Sequence, residues 1–160
     1  MEFEKALKCL EEISFFANFT REEKRFLASM DCNLVHYRNG ETILKEGDVE
    51  GHFYILLHGS TYVTRSNFNP DGTRRSPEKC AVIKLTKLTA GSLFGELSFI
   101  KKRIRSTSVV AEGNVSVFKM GGAMIEQLNP ILLNKIKNQI IDLLLQRLDG
   151  MNDQLMKVVR

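Results

Sequence analysis

The sequence predicts an α+β fold in which an antiparallel β-sandwich or barrel lies between N-terminal and C-terminal helices. Residues 33–120 contain many short β-branched or aromatic runs separated by glycine turns, and both ends of the chain repeat apolar residues at helical spacing. Many short strands joined by regular turns are typical of a sandwich or jelly-roll barrel. With 160 residues, of which 43% are hydrophobic and 26% charged, the chain is expected to form one globular domain.

The N-terminal part, residues 1–32, is predicted to be helical. Leu7, Leu10 and Ile13 have the spacing of one helix face. Residues 20–23, Thr-Arg-Glu-Glu, have the pattern of a capping box that opens a second short helix. The acidic start of the chain lacks the features of a secretory signal, and no apolar run approaches the roughly 20 residues that cross a bilayer. We therefore expect a cytoplasmic protein without a membrane partner.

The strand pattern occupies residues 33–120. Turns are predicted at its glycine-containing sites, which are Asn39-Gly40, Glu46-Gly47-Asp48, His58-Gly59, Ala90-Gly91 and Gly113-Asn114. Residues 66–79 are polar, separate two strand patterns and are predicted to form a hairpin with a long mobile loop. Arg74 and Arg75 are interpreted as part of a solvated loop tip rather than as a partner site.

The C-terminal part, residues 121–160, is predicted to be helical, with Asn129 as the cap and Pro130 in the first turn. One apolar stripe, suited to packing on the barrel, consists of Leu133, Ile136, Ile140 and Leu143. A second stripe has the spacing of a coiled-coil seam and consists of Ile141, Leu144, Leu148, Met151, Leu155 and Val158. The alternatives are a homodimer through this seam or packing of both stripes on the domain. Gly150 costs about 1 kcal/mol relative to alanine, so the seam is expected to bend or end there.

The segment from residue 94 to residue 109 carries the most chemical information. It places Gly95, Glu96, Arg105 and Ser106 in one short loop. The glycine lets backbone N–H groups turn toward an anion, and a short helix beginning near Glu96 directs its positive end the same way. Arg105 offers a planar fork suited to phosphate oxygens. An ionised carboxylate accepts hydrogen bonds and a sugar hydroxyl donates them, so the segment predicts a nucleotide ligand.

The run Phe94-Gly95-Glu96-Leu97, followed nine residues after the glutamate by Arg105-Ser106, resembles the phosphate-binding cassette of cyclic nucleotide-binding domains. Residues 39–48 and 53–63 are similar to that family's early barrel strands and glycine turns. The resemblance implies a jelly-roll barrel, a stand-alone module of the bacterial type, and cAMP or cGMP as the ligand with no further cofactor. The ligand-binding residues that it implies are Phe94, Gly95, Glu96, Leu97, Ser98, Arg105, Ser106 and Thr107.

Two details of the cassette bear on its ligand. In the resembling domains, alanine or serine at the position of Ser106 accompanies a preference for cAMP, and threonine often accompanies cGMP, so the resemblance favours cAMP. That family often carries a proline-containing turn before the arginine, where this chain has Lys102-Arg103-Ile104. The loop is therefore expected to differ in shape. The resemblance also implies that the C-terminal helices, residues 121–160, form a lid over the base.

Metal binding, catalysis and DNA binding are not predicted. His36, His52 and His58 lie on separate strand or turn positions without the spacing of metal ligands, which argues against a cupin-like metalloenzyme. No nucleophile elbow or Walker glycine loop is present. The net charge of +4 indicates solubility and weak association, and no recognition helix follows the last predicted helix.

The three cysteines are odd in number and far apart in the sequence, which predicts free and mostly buried thiols at Cys9, Cys32 and Cys80.

The sequence thus predicts a non-enzymatic cyclic nucleotide sensor that signals by movement of its C-terminal helices. One alternative is a degenerate barrel that acts as a ligand-free interaction or scaffold domain, with Arg105 paired to a carboxylate of the protein. Another is the regulatory subunit of a separate effector enzyme. The sequence does not identify the protein effector.

Overall fold

The computed structural model describes residues 2–30, 33–121 and 126–159. Within these ranges the helices are α1 (Glu2–Glu12), α2 (Arg21–Ala28), α3 (Glu96–Ile100) and α4 (Pro130–Val159), with a turn of 3-10 helix at Ser14–Phe16. The strands are β1 (Asn33–Tyr37), β2 (Thr42–Leu44), β3 (His52–Ser66), β4 (Val82–Leu88), β5 (Leu93–Phe94) and β6 (Ser108–Gly121). The chain divides into two compact units, Met1–Met124 and Ile125–Arg160. The predicted order of helices, strands and helix is confirmed.

Two long antiparallel strands, β3 and β6, organise the first unit. At one end of this pair, β1 pairs with β6 and β5 pairs with β3. At the other end, β2 pairs with β6 and β4 pairs with β3. All of these pairings are antiparallel. The two long strands therefore contribute to both groups of shorter strands.

The two long strands change register where the sequence predicts turns. The register between β3 and β6 shifts between Leu56 and His58 and again between His58 and Ser60. Gly59 has a φ of +88°, and a Cβ atom there would lie 2.5 Å from the carbonyl oxygen of Asn114. The turns predicted at 58–59 and 113–114 are thus irregularities within continuous strands, because bulged backbone bends a strand without ending it.

Strand β3 is buried on both faces over its first half. Tyr54 and Leu56 belong to the barrel core, which also contains Ile43, Leu44, Phe94, Val109, Ala111, Val115 and Val117. Phe53 points the other way, and its ring lies 6.0 Å from that of Phe15 and 4.8 Å from that of Phe99 in α3. The start of β3 is therefore fixed between the barrel core and an aromatic cluster.

Local signals at the helix ends are confirmed. The Thr20 side chain accepts a hydrogen bond from the Glu23 N–H, and the Glu23 carboxylate accepts one from the Thr20 N–H. In the second unit, α4 begins at Pro130, and the Asn129 side chain accepts a hydrogen bond from the Leu132 N–H. The helix continues through Gly150 to Val159, in agreement with the predicted helix toward the C-terminus, and Gly150 does not end it. A single glycine weakens a helix without obliging it to stop.

Residues 66–79 lie in the connection between β3 and β4, which confirms the predicted hairpin. Asn67 has no exposed surface. Its amide group donates to the carbonyl oxygens of Glu78 and Cys80 at 2.8 and 3.0 Å, and its side-chain oxygen accepts from the N–H and hydroxyl of Ser76 at 3.0 and 2.9 Å. The tip, residues 70–74, is exposed, as the predicted solvated tip requires, whereas the base of the loop is closed by the buried Asn67. One buried amide satisfies four polar groups that solvent would otherwise have to solvate.

The cysteines differ from the prediction of mostly buried thiols. Cys80 is exposed and Cys9 is half-buried, and both are free. Burial and the nearby Glu12 raise the pKa of the Cys9 thiol, which favours its protonated form. Cys32 lies outside the described residues.

Candidate phosphate-binding site

The cassette predicted at residues 94–109 forms a compact loop between β5 and β6. Gly95 follows β5 with a φ of +79° and serves as the N-cap of α3. A Cβ atom at Gly95 would lie 3.0 Å from Arg105 Nη1 and 3.1 Å from the carbonyl oxygen of His52. Glycine is needed here because the backbone is left-handed and because Arg105 passes close to it.

Arg105 is held by three acceptors of the protein. Nη1 donates to the carbonyl oxygen of Gly95 at 2.7 Å, and Nη2 donates to that of His52 at 2.6 Å. Nη2 also lies 3.2 Å from the Glu50 carboxylate. These bonds fix the plane of the guanidinium, and a planar group with a fixed orientation is suited to recognising an oxyanion.

The Arg105 side chain is buried and only partly satisfied. The residue is 5% exposed, and its Nε atom has no hydrogen-bond partner among the described residues. A guanidinium carries five N–H donors, so donors remain after its bonds to the protein. Burial of an incompletely paired charge is costly. The site therefore has capacity for an additional acceptor beside Arg105.

Glu50 is a residue of this site that the sequence analysis missed. Its Oε1 atom accepts a hydrogen bond from the Tyr54 hydroxyl at 3.0 Å, and the same atom faces Arg105. The Tyr54 ring is stacked on Phe94, with centroids 5.2 Å apart and an interplanar angle of 7°. Burial and the Glu50 charge raise the pKa of Tyr54, which keeps its hydroxyl protonated as a donor. The position of Glu50, two residues before β3, carried no distinguishing sequence signal.

The other predicted residues differ in their exposure. Glu96 and Ser98 are buried, at 6% and 4% exposure, whereas Leu97 is 45% exposed. Ser106 is exposed and Thr107 is half-buried. The structure thus brings the predicted residues into one loop, with the charged groups Glu96 and Arg105 inside and one hydroxyl at the surface.

The edge of the cassette is apolar and basic. Ile104 is 62% exposed and forms an isolated bridge with Val49, which is 50% exposed. Residues 101–103, Lys-Lys-Arg, are also exposed. Cations at a rim attract anions over distance and contribute little binding energy themselves.

The backbone of Arg105 is tied to the turn after β2. The Arg105 N–H donates to the carbonyl oxygen of Asp48 at 2.8 Å, and the Gly47 N–H donates to the carbonyl oxygen of Arg105 at 2.9 Å. The Glu46 N–H donates to the hydroxyl of Ser108 at 2.8 Å. Residues 46–48 therefore determine where the Arg105 backbone lies.

The histidines do not converge on a metal site. His36 bonds the Ser116 hydroxyl through Nδ1 at 2.8 Å, and His52 Nδ1 lies 3.9 Å from Glu50. Over residues 2–30, 33–121 and 126–159, no group of three or more His, Cys, Asp or Glu residues is arranged to hold a metal ion. The same residues contain no helix that is both long and apolar enough to span a membrane.

A separate cavity of about 290 Å³ lies in the first unit. Its walls come from the end of α1 and the residues that follow it, from β3 and from the turn before β5, and they consist of Cys9, Glu12, Ile13, Ser14, Ile55, Leu56, Leu57, His58 and Gly91. None of the predicted ligand-binding residues lines it.

Comparison with known proteins identifies the family. A family model described as a cyclic nucleotide-binding domain matches residues 34–129. The cAMP-dependent protein kinase type II regulatory subunit of Drosophila melanogaster is 26% identical over 122 residues, which are 76% of this chain and 28% of that protein. The cGMP-dependent protein kinase 2 of Homo sapiens is 31% identical over 106 residues, which are 66% of this chain and 12% of that protein. The chain thus spans less than a third of the length of these curated relatives.

A solved structure confirms the fold. The crystal structure of a cyclic nucleotide-binding domain from Methylobacillus flagellatus KT matches with a TM-score of 0.74 and 27% sequence identity, covering 96% of this chain and 82% of that one. The likeness confirms the predicted α+β fold with an antiparallel jelly-roll barrel. Since the family model matches more than half of its residues, this chain belongs to the cyclic nucleotide-binding domain family.

Proposed function

We propose that this chain is the ligand-binding part of a cyclic nucleotide sensor, with the cyclic phosphate held by Arg105. The observation that carries the proposal is the buried guanidinium whose Nε lacks a hydrogen-bond partner among the described residues. A cyclic phosphate supplies a negative charge and acceptor oxygens for such a group. The bonds to the Gly95 and His52 carbonyl oxygens orient the guanidinium before the ligand arrives, which lowers the cost of binding.

Glu96 is proposed to accept a hydrogen bond from the ribose 2′-hydroxyl. Its carboxylate is buried in the first turn of α3, directly after Gly95. Phe94, Gly95, Leu97, Ser98, Ser106 and Thr107 complete the proposed ligand-binding set. In this arrangement the Glu96 carboxylate binds the sugar and the Arg105 guanidinium binds the phosphate.

We propose a preference for cAMP over cGMP. The residue after Arg105 is serine, and the resembling domains that prefer cGMP often have threonine there. The named relatives include both a cAMP-dependent and a cGMP-dependent kinase protein, so they do not decide between the two ligands.

The test is a calorimetric titration of cAMP, cGMP and 2′-deoxy-cAMP into protein freed of nucleotide carried over from expression. We expect the affinity to fall in the order cAMP, cGMP, 2′-deoxy-cAMP, since the 2′-deoxy analogue lacks the hydroxyl that is proposed to donate to Glu96. Equal affinity for cAMP and its 2′-deoxy analogue would remove Glu96 from the sugar contact. Tighter binding of cGMP would reverse the base preference without affecting the site.

A ligand-free interaction domain is the second candidate, and one observation favours it. Glu50 already faces Arg105 at 3.2 Å, so the cation has a partner of opposite charge without any ligand. The absence of heat and of any protection against thermal unfolding with all three nucleotides would support this candidate over the sensor.

Helix α4 is proposed to carry the output of the sensor. A ligand shifts a conformational equilibrium only if it binds the two states with different affinity, and an apolar residue in the range 148–159 that closes over the base would supply this difference. Residues such as Leu148 and Leu155 are exposed, at 53% and 60%. We expect cAMP to slow hydrogen exchange along α4, and unchanged exchange at saturation would exclude this mechanism.

The exposed seam on α4 is also proposed to form a homodimer. Five of its six members, Ile141, Leu148, Met151, Leu155 and Val158, are exposed in the single chain and Leu144 is half-buried, whereas Leu132, Ile136 and Ile140 are buried. Sedimentation of Leu144→Glu/Leu148→Glu is the test, and a monomer that still binds cAMP is the expected result. The effector is proposed to be a separate protein, as for a regulatory subunit, and this chain is assigned no catalytic step.

A further inference from the structure

We propose that the loop between β3 and β4 (residues 67–81, the β3–β4 loop) sets the affinity of the phosphate site, with Arg75 as the positioning residue. The inference rests on the proposed function, since it assumes that Arg105 binds an anion. It assigns a role to a segment whose length the ligand contacts do not explain.

Hydrogen bonds of Asn67 connect the two arms of the loop. The buried Asn67 fixes both of its arms through the four side-chain bonds described above. Its backbone adds further bonds, in which the Asn67 N–H donates to the Ala81 carbonyl oxygen and the Arg75 N–H donates to that of Asn67, each at 2.8 Å. The Arg75 backbone is therefore held by hydrogen bonds within the loop.

Arg75 leaves its own loop to reach Glu46. Its Nη1 atom lies 2.8 Å from Glu46 Oε1 and also donates to the Ser66 carbonyl oxygen at 3.1 Å, while Nε donates to the Asn69 side chain at 3.0 Å. Both side chains of the ion pair are about one-fifth exposed. The second Glu46 oxygen accepts from the Ser66 N–H at 2.8 Å. Burial alone raises the pKa of Glu46, but the bonds from Ser66 and Arg75 hold it below its ordinary value.

Glu46 belongs to the turn that fixes the backbone of Arg105. Its own N–H bonds Ser108, and the next two residues, Gly47 and Asp48, exchange backbone hydrogen bonds with Arg105. One continuous set of short bonds thus leads from Arg75 through Glu46 and residues 47–48 to Arg105. Loss of the ion pair is expected to make the turn at residues 46–48 more mobile, and with it Arg105. Arg105 then has to become ordered when the anion binds, which lowers the affinity.

The neighbouring Arg74 provides a matched control within the same loop. Its Nη1 atom donates to the Glu78 carbonyl oxygen at 2.8 Å, and its guanidinium lies 5.7 Å from the centre of the Phe68 ring. The contacts described for Arg74 thus stay within the β3–β4 loop. Removal of either arginine changes the net charge equally, so a difference between the two variants reports the Glu46 connection.

The experiment titrates cAMP into the full chain and into Arg75→Ala, Arg74→Ala, Arg75→Lys, Glu46→Gln and Arg75→Ala/Glu46→Gln. We expect Arg75→Ala and Glu46→Gln each to weaken cAMP about fivefold, with no further loss in the double variant, because both act through one contact. Arg74→Ala should match the parent, and Arg75→Lys should recover most of the affinity. In the ligand-free protein, the NMR resonance of the Arg105 Nε–H should move in Arg75→Ala and stay in place in Arg74→Ala.

Other results of these titrations would contradict either the role of the loop or the proposed function. Parent-like affinity in both Arg75→Ala and Glu46→Gln, with cAMP bound normally by the parent, would show that the loop has no effect on the site while the proposed function stands. Equal losses in Arg74→Ala and Arg75→Ala would indicate a general charge effect. If the parent binds none of the nucleotides, the proposed function fails, and this inference fails with it.

Discussion

Replacement of Arg105 by alanine is expected to weaken cAMP binding by at least about tenfold. A charge-assisted hydrogen bond contributes roughly 1.5–3 kcal/mol, and about 1.4 kcal/mol corresponds to a factor of ten in affinity. The variant also leaves the Gly95 and His52 carbonyl oxygens without their guanidinium donor, so its unfolding midpoint should fall although the barrel remains. Calorimetric titration, performed at a temperature where circular dichroism shows the variant to be folded, separates the two effects.

Two further variants show which property of Arg105 matters. Arg105→Lys keeps the charge and loses the planar fork, so an intermediate loss of affinity is expected. Arg103→Ala removes an exposed cation from the rim of the same cassette and should change the affinity by less than about threefold at physiological salt. An Arg105→Ala protein that binds cAMP as tightly as the parent would exclude this residue from the phosphate contact.

The parts of the fold that depend on local chemistry were predictable from the sequence. The Thr20 and Glu23 capping box and the Asn129 cap follow from side-chain types at fixed spacing, and both are present. The candidate cassette is recognisable in the same way, because Gly95, Glu96 and Arg105 lie within twelve residues of one another. Patterns of this kind need no knowledge of which strands pair.

The partners of Arg105 were not predictable, because they lie far from it in the sequence. Glu50 precedes it by 55 positions, and His52 contributes a backbone carbonyl oxygen, which any residue type would supply equally. The irregularity at Gly59 has a similar origin. The sequence shows a glycine that could form a turn, but only the pairing of β3 with β6 reveals that the backbone of Asn114 excludes a side chain there.

The composition of the β3–β4 loop predicts its exposed tip correctly but not the burial at its base. Six of its fifteen residues are asparagine, proline, glycine or serine, and these residues are typical of solvated turns. Here one asparagine is wholly buried because its amide matches the backbone groups of both arms. Asn67 is buried because of the positions of its donors and acceptors relative to the backbone, and a count of polar residues does not contain these positions.

Replacement of Asn67 by alanine is expected to lower the free energy of unfolding by about 3 kcal/mol. The change leaves the Cys80 carbonyl oxygen and the Ser76 N–H without the Asn67 partner, and it leaves the Glu78 carbonyl oxygen with the Arg74 guanidinium only. A buried polar group that loses its hydrogen bond costs about 1–3 kcal/mol. Urea denaturation measures the effect as a fall in the midpoint at unchanged slope. Asn67→Asp, which keeps the shape but turns a charged oxygen toward two carbonyl oxygens, should lose a similar amount.

Asn138→Ala is the matched control for this prediction, because Asn138 is exposed on α4 and surface substitutions usually change stability by less than about 0.5 kcal/mol. If Asn67→Ala also changes the free energy of unfolding by less than about 0.5 kcal/mol, the base of the loop is solvated in solution, as its composition indicates. The loop would then not fix the position of Arg75, since the Asn67 bonds hold the two arms of the loop together. If instead Asn67→Ala both destabilises the protein and weakens cAMP binding at a temperature where it is fully folded, the order of the loop and the affinity of the phosphate site depend on the same buried amide.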